Sequence, residues 1–218
     1  MTALKDAHVE MSSVGDTRYS DLLFCSFYTH KYAMAAGELY DSLLRFKLRN
    51  NLYYLRDLGS WFKHVQYKPA FIKNTLATTN ADVVWLDADS VVKQYPKRLF
   101  LLVYENYDIA AFRFAPSDDQ YAKMCSGTVY FKNNKVTRAV VDRWCQITEE
   151  RVKEDPKTWD QVTLEDALME SEECKVLVLP ASYCMWDDVR TTFPTIDPVI
   201  EHKQMSRQIL REQGFDNA

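Results

Sequence analysis

Short apolar runs alternate with helix-length segments along most of this 218-residue chain. The runs contain few polar residues, as expected for strands that are buried on both faces of a parallel sheet. The predicted strands are 21–29, 52–55, 83–86, 109–114, 128–131 and 176–179. The predicted helices are 33–49, 69–79, one capped by Asn133 or Asn134, and one after Asp160. This alternation predicts an α/β fold, a single-domain αβα sandwich with a mainly parallel central sheet.

Length and composition indicate one globular domain. Hydrophobic residues make up 47% of the chain, which is enough for a sizeable core. The first 20 residues are polar, so we predict a loose leader at 1–20, the domain at 21–206 and a tail at 207–218. We also predict a polar loop at 115–123. The net charge of −4 argues against a coat protein for nucleic acid, and only five glycines argue against a glycine-rich phosphate loop.

The cysteines and the hydropathy bear on the cellular compartment. The five cysteines are scattered and never in Cys-x-x-Cys spacing, which predicts free thiols rather than a disulfide framework or a zinc site. No apolar run approaches the roughly 18 residues of a spanning helix, and no signal-peptide pattern opens the chain. We therefore expect no membrane span and a cytoplasmic protein, in the host cytoplasm if its origin is a phage or a virus.

Two acidic residues follow the apolar run at 83–86. Asp87 and Asp89 flank Ala88, so both carboxylates are predicted at the carboxyl edge of the sheet, where open α/β folds bind ligands. Residues i and i+2 of an extended chain point the same way, and carboxylate oxygens suit Mg²⁺ or Mn²⁺. The pattern predicts a metal site. The alternative is a structural role, in which the two acids only cap a loop after the strand.

The Asp87-Ala88-Asp89 segment resembles the DxD motif of GT-A fold glycosyltransferases, which belong to the nucleotide-diphospho-sugar transferase superfamily. The run at 21–29 looks like the first strand of that fold, whose end packs around the nucleobase. Basic residues before the motif often reach the donor in these enzymes. The resemblance places these roles on Phe27, Tyr28 and Thr29 for the nucleobase, and on Lys68 and Lys73 for the donor.

Later segments are similar to the same family. Ser126-Gly127 resembles a small-residue turn that borders the sugar pocket, although many relatives have two glycines there. Asp160-Gln161 resembles the Asp-Gln element near the donor sugar, and His202 lies where some families have a third metal ligand. A lone histidine is more often an ordinary surface or core residue, and its late position favours the ligand role.

The resemblance implies metal-dependent transfer of a sugar from a nucleotide-diphosphate sugar to an acceptor hydroxyl. The metal, Mn²⁺ or Mg²⁺, would be held by Asp87, Asp89 and His202, and the catalytic residues would be Asp160 and Gln161. The Asp-Gln pair and the late histidine favour retention at the anomeric carbon. A UDP-sugar is the default donor by family frequency. The substrate-binding residues would be Phe27, Tyr28, Thr29, Lys68, Lys73, Asp87, Ala88, Ser126, Gly127, Trp186 and Asp187.

The sequence leaves the acceptor and the oligomeric state open. A lipid, a protein side chain, a glycan and a modified base in DNA are all candidate acceptors. The segment 45–73 has seven basic residues against one acid, which favours a solvated helix face or a contact with a hydroxymethylated base in DNA. DNA binding of that kind would weaken steeply as salt rises.

Two other functions compete with sugar transfer. An apolar strand that ends in Asp-x-Asp also occurs in haloacid-dehalogenase-like phosphohydrolases, where the first acid, here Asp87, is the nucleophile. Asp187 and Asp188 would then be the magnesium-binding acids. Against this, two strand–helix units precede the motif, whereas the nucleophile normally opens that fold. The third candidate is a non-catalytic module that binds a nucleotide-sugar or a glycan.

Overall fold

The computed structural model describes residues 7–13, 21–114 and 123–212. The strands are β1 Ala7–Ser13, β2 Leu22–Tyr28, β3 Asn50–Leu55, β4 Asp82–Leu86, β5 Ser90–Val92, β6 Ile109–Phe114, β7 Lys123–Phe131, β8 Val176–Val178 and β9 Ile200–His202. The helices are α1 Ala33–Arg45, α2 Trp61–Thr78, α3 Lys97–Leu102, α4 Lys135–Glu154, α5 Asp160–Met169, α6 Asp187–Thr192 and α7 Met205–Glu212. Single 3₁₀ turns lie at His30–Tyr32 and Ala181–Tyr183.

A seven-stranded sheet in the order β1-β3-β2-β4-β7-β6-β8 forms the centre of the protein. The strands β3, β2, β4, β6 and β8 run in one direction, and only β1 and β7 run against them. The prediction of an α/β fold with a mainly parallel sheet is therefore confirmed. A separate ribbon pairs β5 with β9, antiparallel.

Helices cover both faces of this sheet. Side chains alternate along β4, so that Trp85 joins one core cluster with α2, α4 and α5, while Val84 joins the other with α1 and α3. Trp144 of α4 and Leu39 of α1 are fully buried in these two clusters. The layers are those of the predicted αβα sandwich, and the carboxyl ends of β2, β3 and β4 meet at one edge.

Every predicted strand is present, and three further strands appear. The strand β1 pairs with β3, so the prediction of a loose leader is wrong for residues 7–13. Neither β5 nor β9 was predicted; each has three residues and is defined by its pairing partner rather than by a local pattern. Most of the predicted loop at 115–123 lies outside the described residues, and Lys123 is the first residue of β7.

The helix around Pro69 begins much earlier than predicted. It was expected to start at Pro69, but α2 begins at Trp61, where Ser60 caps it by accepting a hydrogen bond from the backbone N–H of Lys63. Pro69 lies inside the helix and cannot donate to the carbonyl four residues back. Phe62 and Tyr67 are both buried, and their burial accounts for the extra two turns. Lys68 is therefore a buried residue in the middle of a helix.

Two helix ends, the cysteines and the hydropathy of the helices bear on further predictions. Helix α1 ends at Arg45 rather than residue 49, because Lys47 takes up a left-handed conformation with φ of 53°. Asn134, rather than Asn133, caps α4 by accepting a hydrogen bond from the N–H of Thr137 at 2.9 Å. All five cysteines are free thiols, as predicted. Among the described residues, no helix combines the length and the apolar character that a membrane crossing requires.

Candidate active site

The carboxyl ends of β2 and β4 open into a cavity of about 220 Å³. Most of the residues that the sequence predicted for the site line this cavity. They are Phe27, Tyr28, Thr29, Lys68, Asp87, Ala88, Asp89, Ser126, Gly127, Asp160, Gln161, Trp186 and His202. Segments more than a hundred residues apart in sequence therefore meet at one edge of the sheet, where α/β folds commonly bind ligands.

Two predicted residues do not line the cavity. Lys73 is half exposed on α2, where its ammonium forms an ion pair with Asp142 of α4 at 2.8 Å. It follows Lys68 by five residues, which rotates it by about 140° around the helix axis to another face. Asp187 is exposed at the start of α6. The structure therefore does not support either of them as a donor contact in the cavity.

Asp87, Asp89 and His202 form the group in the cavity best suited to a metal ion. One potential ligand atom from each of the three side chains lies within 4.8 Å of the other two. Asp87 and Asp89 follow β4 directly. His202 arrives on β9, because the ribbon places Ser90 of β5 opposite His202.

Hydrogen bonds hold each of these side chains in place. Oδ1 of Asp87 accepts from the ammonium of Lys68 and from the indole N–H of Trp85, both at 2.9 Å. Oδ2 of Asp89 accepts from the backbone N–H of Met205 at 2.8 Å. The ring of His202 contacts the hydroxyl of Thr128 through Nε2 at 2.9 Å and that of Ser90 through Nδ1 at 3.2 Å. The group is therefore largely preorganised.

Electrostatics in the group favour a cation. Burial alone would raise the pKa of Asp87, but the ammonium of Lys68, and then His202, lower it below its usual value. Burial, and then the charge of Asp87, raise the pKa of Asp89. Burial lowers the pKa of His202 in spite of both carboxylates, which favours the neutral imidazole that a bond to a metal requires. Two carboxylates and a neutral imidazole suit Mn²⁺ or Mg²⁺.

Gly127 keeps the space beside this group open. A Cβ atom at this position would lie 2.9 Å from Cε1 of His202, 3.1 Å from its Nδ1 and 3.3 Å from Oδ2 of Asp87. Any side chain here would therefore enter the space between two of the three candidate ligands. The residues present, with this gap between them, fit a divalent cation.

We expect Gly127→Ala to weaken Mn²⁺ binding by about ten- to a hundredfold, the effect of disturbing the groups that orient metal ligands. The added methyl group forces His202 to move, and overpacking costs about 1–3 kcal/mol of unfolding free energy. Mn²⁺ titration and thermal unfolding measure the two effects. Gly37→Ala in α1 is the matched control, because a Cβ there meets nothing within 4 Å. Unchanged Mn²⁺ affinity in Gly127→Ala would count against the metal site.

Lys68 joins the metal-side carboxylate to the predicted catalytic acid. Its side chain is only 4% exposed, and its ammonium lies 2.9 Å from Oδ1 of Asp87 and 2.6 Å from Oδ2 of Asp160. The Ser126 carbonyl accepts a further hydrogen bond at 3.3 Å. Burial opposes the charge, but Asp160 and then Asp87 outweigh it and raise the pKa of Lys68. The predicted cationic contact is thus engaged with the protein's own acids.

Asp160 keeps capacity for a ligand. Its carboxylate is buried at the start of α5. Its Oδ2 lies 2.6 Å from the ammonium of Lys68 and accepts no other hydrogen bond among the described residues. A buried carboxylate oxygen with spare acceptor capacity in a cavity is a natural contact for a substrate hydroxyl.

Several cavity residues were not predicted from the sequence. They are Tyr32, Trp61, His64, Val65, Trp85, Cys125, Trp159, Cys184, Gln204 and Ser206. Local signals existed for Trp85, which lies two residues before Asp87, for Cys125, which precedes Ser126, and for Trp159, which precedes the Asp-Gln pair. The others reach the site through contacts between segments that are distant in sequence.

The geometry also bears on the phosphohydrolase alternative. That hypothesis needs Asp187 and Asp188 beside Asp87, but neither lines the cavity. Asp188 is exposed and instead forms an ion pair with Arg207. Among the described residues, the cavity therefore lacks the second pair of acids that a phosphohydrolase of this type requires.

Solved glycosyltransferase structures share this fold. One involved in the glycosylation of the major capsid of PBCV-1 is 13% identical, with a TM-score of 0.66 over 88% of this chain and 98% of that chain. GlyE of Streptococcus pneumoniae TIGR4 is 18% identical, with a TM-score of 0.56 over 84% of this chain and 54% of GlyE. The galactosyltransferase LgtC, solved with donor and acceptor sugar analogs, is 12% identical, with a TM-score of 0.54 over 84% and 87%. Such low identities establish the fold alone.

The sequence itself identifies the family. No curated protein matches the chain. The family model of the nucleotide-diphospho-sugar transferases matches residues 59–205, which include α2, the DxD-like segment, Asp160 and His202. This match confirms the predicted resemblance and favours sugar transfer over phosphate hydrolysis. The chain belongs to the nucleotide-diphospho-sugar transferase family, and it is a glycosyltransferase.

Proposed function

We propose that this enzyme transfers a hexosyl or pentosyl group from a UDP-sugar to an acceptor hydroxyl with the help of Mn²⁺ or Mg²⁺. The observation that carries the proposal is the single cavity in which Asp87, Asp89 and His202 lie beside Asp160, with Lys68 between them. Asp89 and His202 would bind the ion directly. Asp87 would bind it directly or through a water, or would contact the donor ribose.

The remaining cavity residues would hold and orient the donor. Phe27, Tyr28 and Thr29 at the end of β2 would contact the nucleobase, with Ser126 and Gly127 bordering the sugar. When bound, a divalent cation supplies Lewis-acid stabilisation of the charge on the leaving diphosphate. The hydrogen bonds that already fix its ligands limit the reorganisation that catalysis requires.

Asp160 and Gln161 would act at the donor sugar. The Asp160 carboxylate lies 2.6 Å from the ammonium of Lys68, which fixes its position. This supports an orienting role, with Gln161 towards the anomeric carbon, and therefore retention of configuration. Asp160 acting as a general base in an inverting reaction is the alternative.

DNA receives little support as the acceptor. Of the seven basic residues in 45–73, Lys68 alone lines the cavity, and it is engaged by two carboxylates. Arg45 donates a hydrogen bond to the carbonyl of Val92, and Lys73 pairs with Asp142. Arg45, Lys68 and Lys73 therefore do not contribute to a basic surface that leads into the site.

A donor screen tests this function. We expect one nucleotide-sugar to release its nucleoside diphosphate with Mn²⁺ or Mg²⁺ and not with a chelator. Asp160→Asn should lower kcat by about a hundredfold, whereas Asp142→Asn, which alters only a surface ion pair, should not. Proton NMR of the anomeric linkage in the product tests retention. Turnover that is insensitive to chelator, or hydrolysis of a simple phosphomonoester instead, would refute the proposal.

A further inference from the structure

Two tryptophans form part of the cavity wall beside Asp160. Trp61 is the first residue of α2, and Trp159 directly precedes α5. Their ring centroids are 5.4 Å apart, with the planes 76° from parallel. Trp159 is 42% exposed, although large aromatic side chains are usually well buried. Both tryptophans line the cavity, so an occupant of the cavity can contact the pair of rings.

Contacts between aromatic rings position the pair. Trp61 packs edge-on against Phe62 at 5.3 Å and hydrogen-bonds to the hydroxyl of Tyr32. Its T-shaped contact then holds the ring of Trp159. Indole rings fixed in this way present large apolar faces at little cost in conformational entropy. Such a surface binds flat apolar faces, including the C–H face of a pyranose ring, which is attracted to the π-system.

Apart from the donor diphosphate, whose charge the divalent cation would offset, the charges of the cavity disfavour a second anionic occupant. Asp87, Asp89 and Asp160 contribute three carboxylates, and Lys68 is the only lysine or arginine among the described lining residues. Its ammonium is engaged by Asp87 and Asp160. An acidic sugar or a phosphodiester near this wall would meet like charges without a free cation to offset them.

We propose that Trp61 and Trp159 form a platform for an uncharged pyranose ring of the acceptor, so that this enzyme extends a neutral glycan. This inference rests on the proposed function and specifies its acceptor. Trp159 adjoins Asp160 in the chain, so a ring on this platform lies next to the residue assigned to the donor sugar. The nucleobase is assigned to Phe27, Tyr28 and Thr29, and neither tryptophan is among these residues, so we assign the platform to the acceptor.

The test compares methyl hexopyranosides with a hexuronic acid and a DNA oligonucleotide as acceptors. The wild-type enzyme should transfer sugar to at least one neutral glycoside and to neither anionic probe. In Trp159→Ala, the acceptor KM should rise and the ratio of transfer to donor hydrolysis should fall, each by at least about tenfold, the factor that corresponds to about 1.4 kcal/mol. Trp159→Phe should retain most of the transfer. Tyr104→Ala is the control, because this exposed aromatic residue lies outside the cavity.

A second measurement separates this inference from the proposed function. Saturation-transfer NMR with the same glycosides and no donor should show contacts to the C–H face, and Trp159→Ala should lose them. Sugar transfer to DNA or to the hexuronic acid would overturn the platform, and so would a failure to transfer sugar to any of the glycosides. A rise in the donor KM of Trp159→Ala instead of its acceptor KM would also overturn it. Failure of every nucleotide-sugar to react would overturn the proposed function, while glycoside binding in the NMR experiment would still support the platform.

Discussion

Asp89→Asn is expected to lower the rate of nucleoside-diphosphate release by at least about a hundredfold, which corresponds to about 2.7 kcal/mol of transition-state stabilisation. The substitution keeps the shape of the side chain, and the amide oxygen can still accept the hydrogen bond from Met205. The substitution removes the negative charge, and this charge is what attracts a divalent cation to the Asp89 side chain. Turnover with saturating Mn²⁺ and calorimetric Mn²⁺ titration measure the two effects.

Stability should respond differently with and without metal. Burial and the charge of Asp87 raise the pKa of Asp89 in the folded protein. At a pH above the pKa that Asp89 has in the unfolded chain, its ionisation therefore lowers the free energy of unfolding. The metal-free Asn variant should therefore unfold at a temperature no lower than the wild type. Mn²⁺ should raise the unfolding temperature of the wild type and of the surface control Asp166→Asn, but not of Asp89→Asn. Wild-type Mn²⁺ affinity in Asp89→Asn would exclude Asp89 as a ligand.

Lys68→Met is expected to have the largest effect on stability. The substitution leaves the carboxylates of Asp87 and Asp160 without their shared cation in a buried site. Removal of one partner from such a cluster costs about 3–5 kcal/mol of unfolding free energy. Chemical denaturation at neutral pH measures this loss. Activity should also fall, because Asp160 loses the contact that positions it.

Two further variants show that the effect comes from charge. Lys73→Met lies on the same helix, and its half-exposed ion pair with Asp142 should contribute no more than about 1 kcal/mol. Combining Lys68→Met with Asp160→Asn should recover part of the lost stability, since one unpaired carboxylate is removed. If the double variant were less stable than Lys68→Met by the full cost of a second lesion, Lys68 would act through packing alone.

The sequence was sufficient where a signal is local. The buried strands β2, β4 and β6 were found because a central strand of a parallel sheet is apolar on both faces. The cap of α4 was found because asparagine is a common helix cap. The start of α5 was found from the Asp-Gln pair at its first two positions. The start of α2 was missed, since a proline inside a helix has the same local pattern as a proline in its first turn.

Contacts between distant segments decided the rest. The strands β5 and β9 have three residues each, and only their mutual pairing makes them strands. The assignment of His202 as a candidate ligand therefore rested on resemblance and position. Its approach to Asp87 and Asp89 depends on the ribbon. The platform of Trp61 and Trp159 likewise brings together residues that are nearly a hundred positions apart.

The sequence by itself determined the α/β class, the family and the two acids at the end of β4, because each is encoded in a contiguous pattern of apolar and polar residues. Only the tertiary structure decided which basic residue works with those acids. Lys68 and Lys73 look equivalent in the sequence, yet one is buried between two carboxylates and the other is half exposed. The physical reason is that the two lysines point to different faces of α2. Which face is buried is decided only when the helix packs against the sheet.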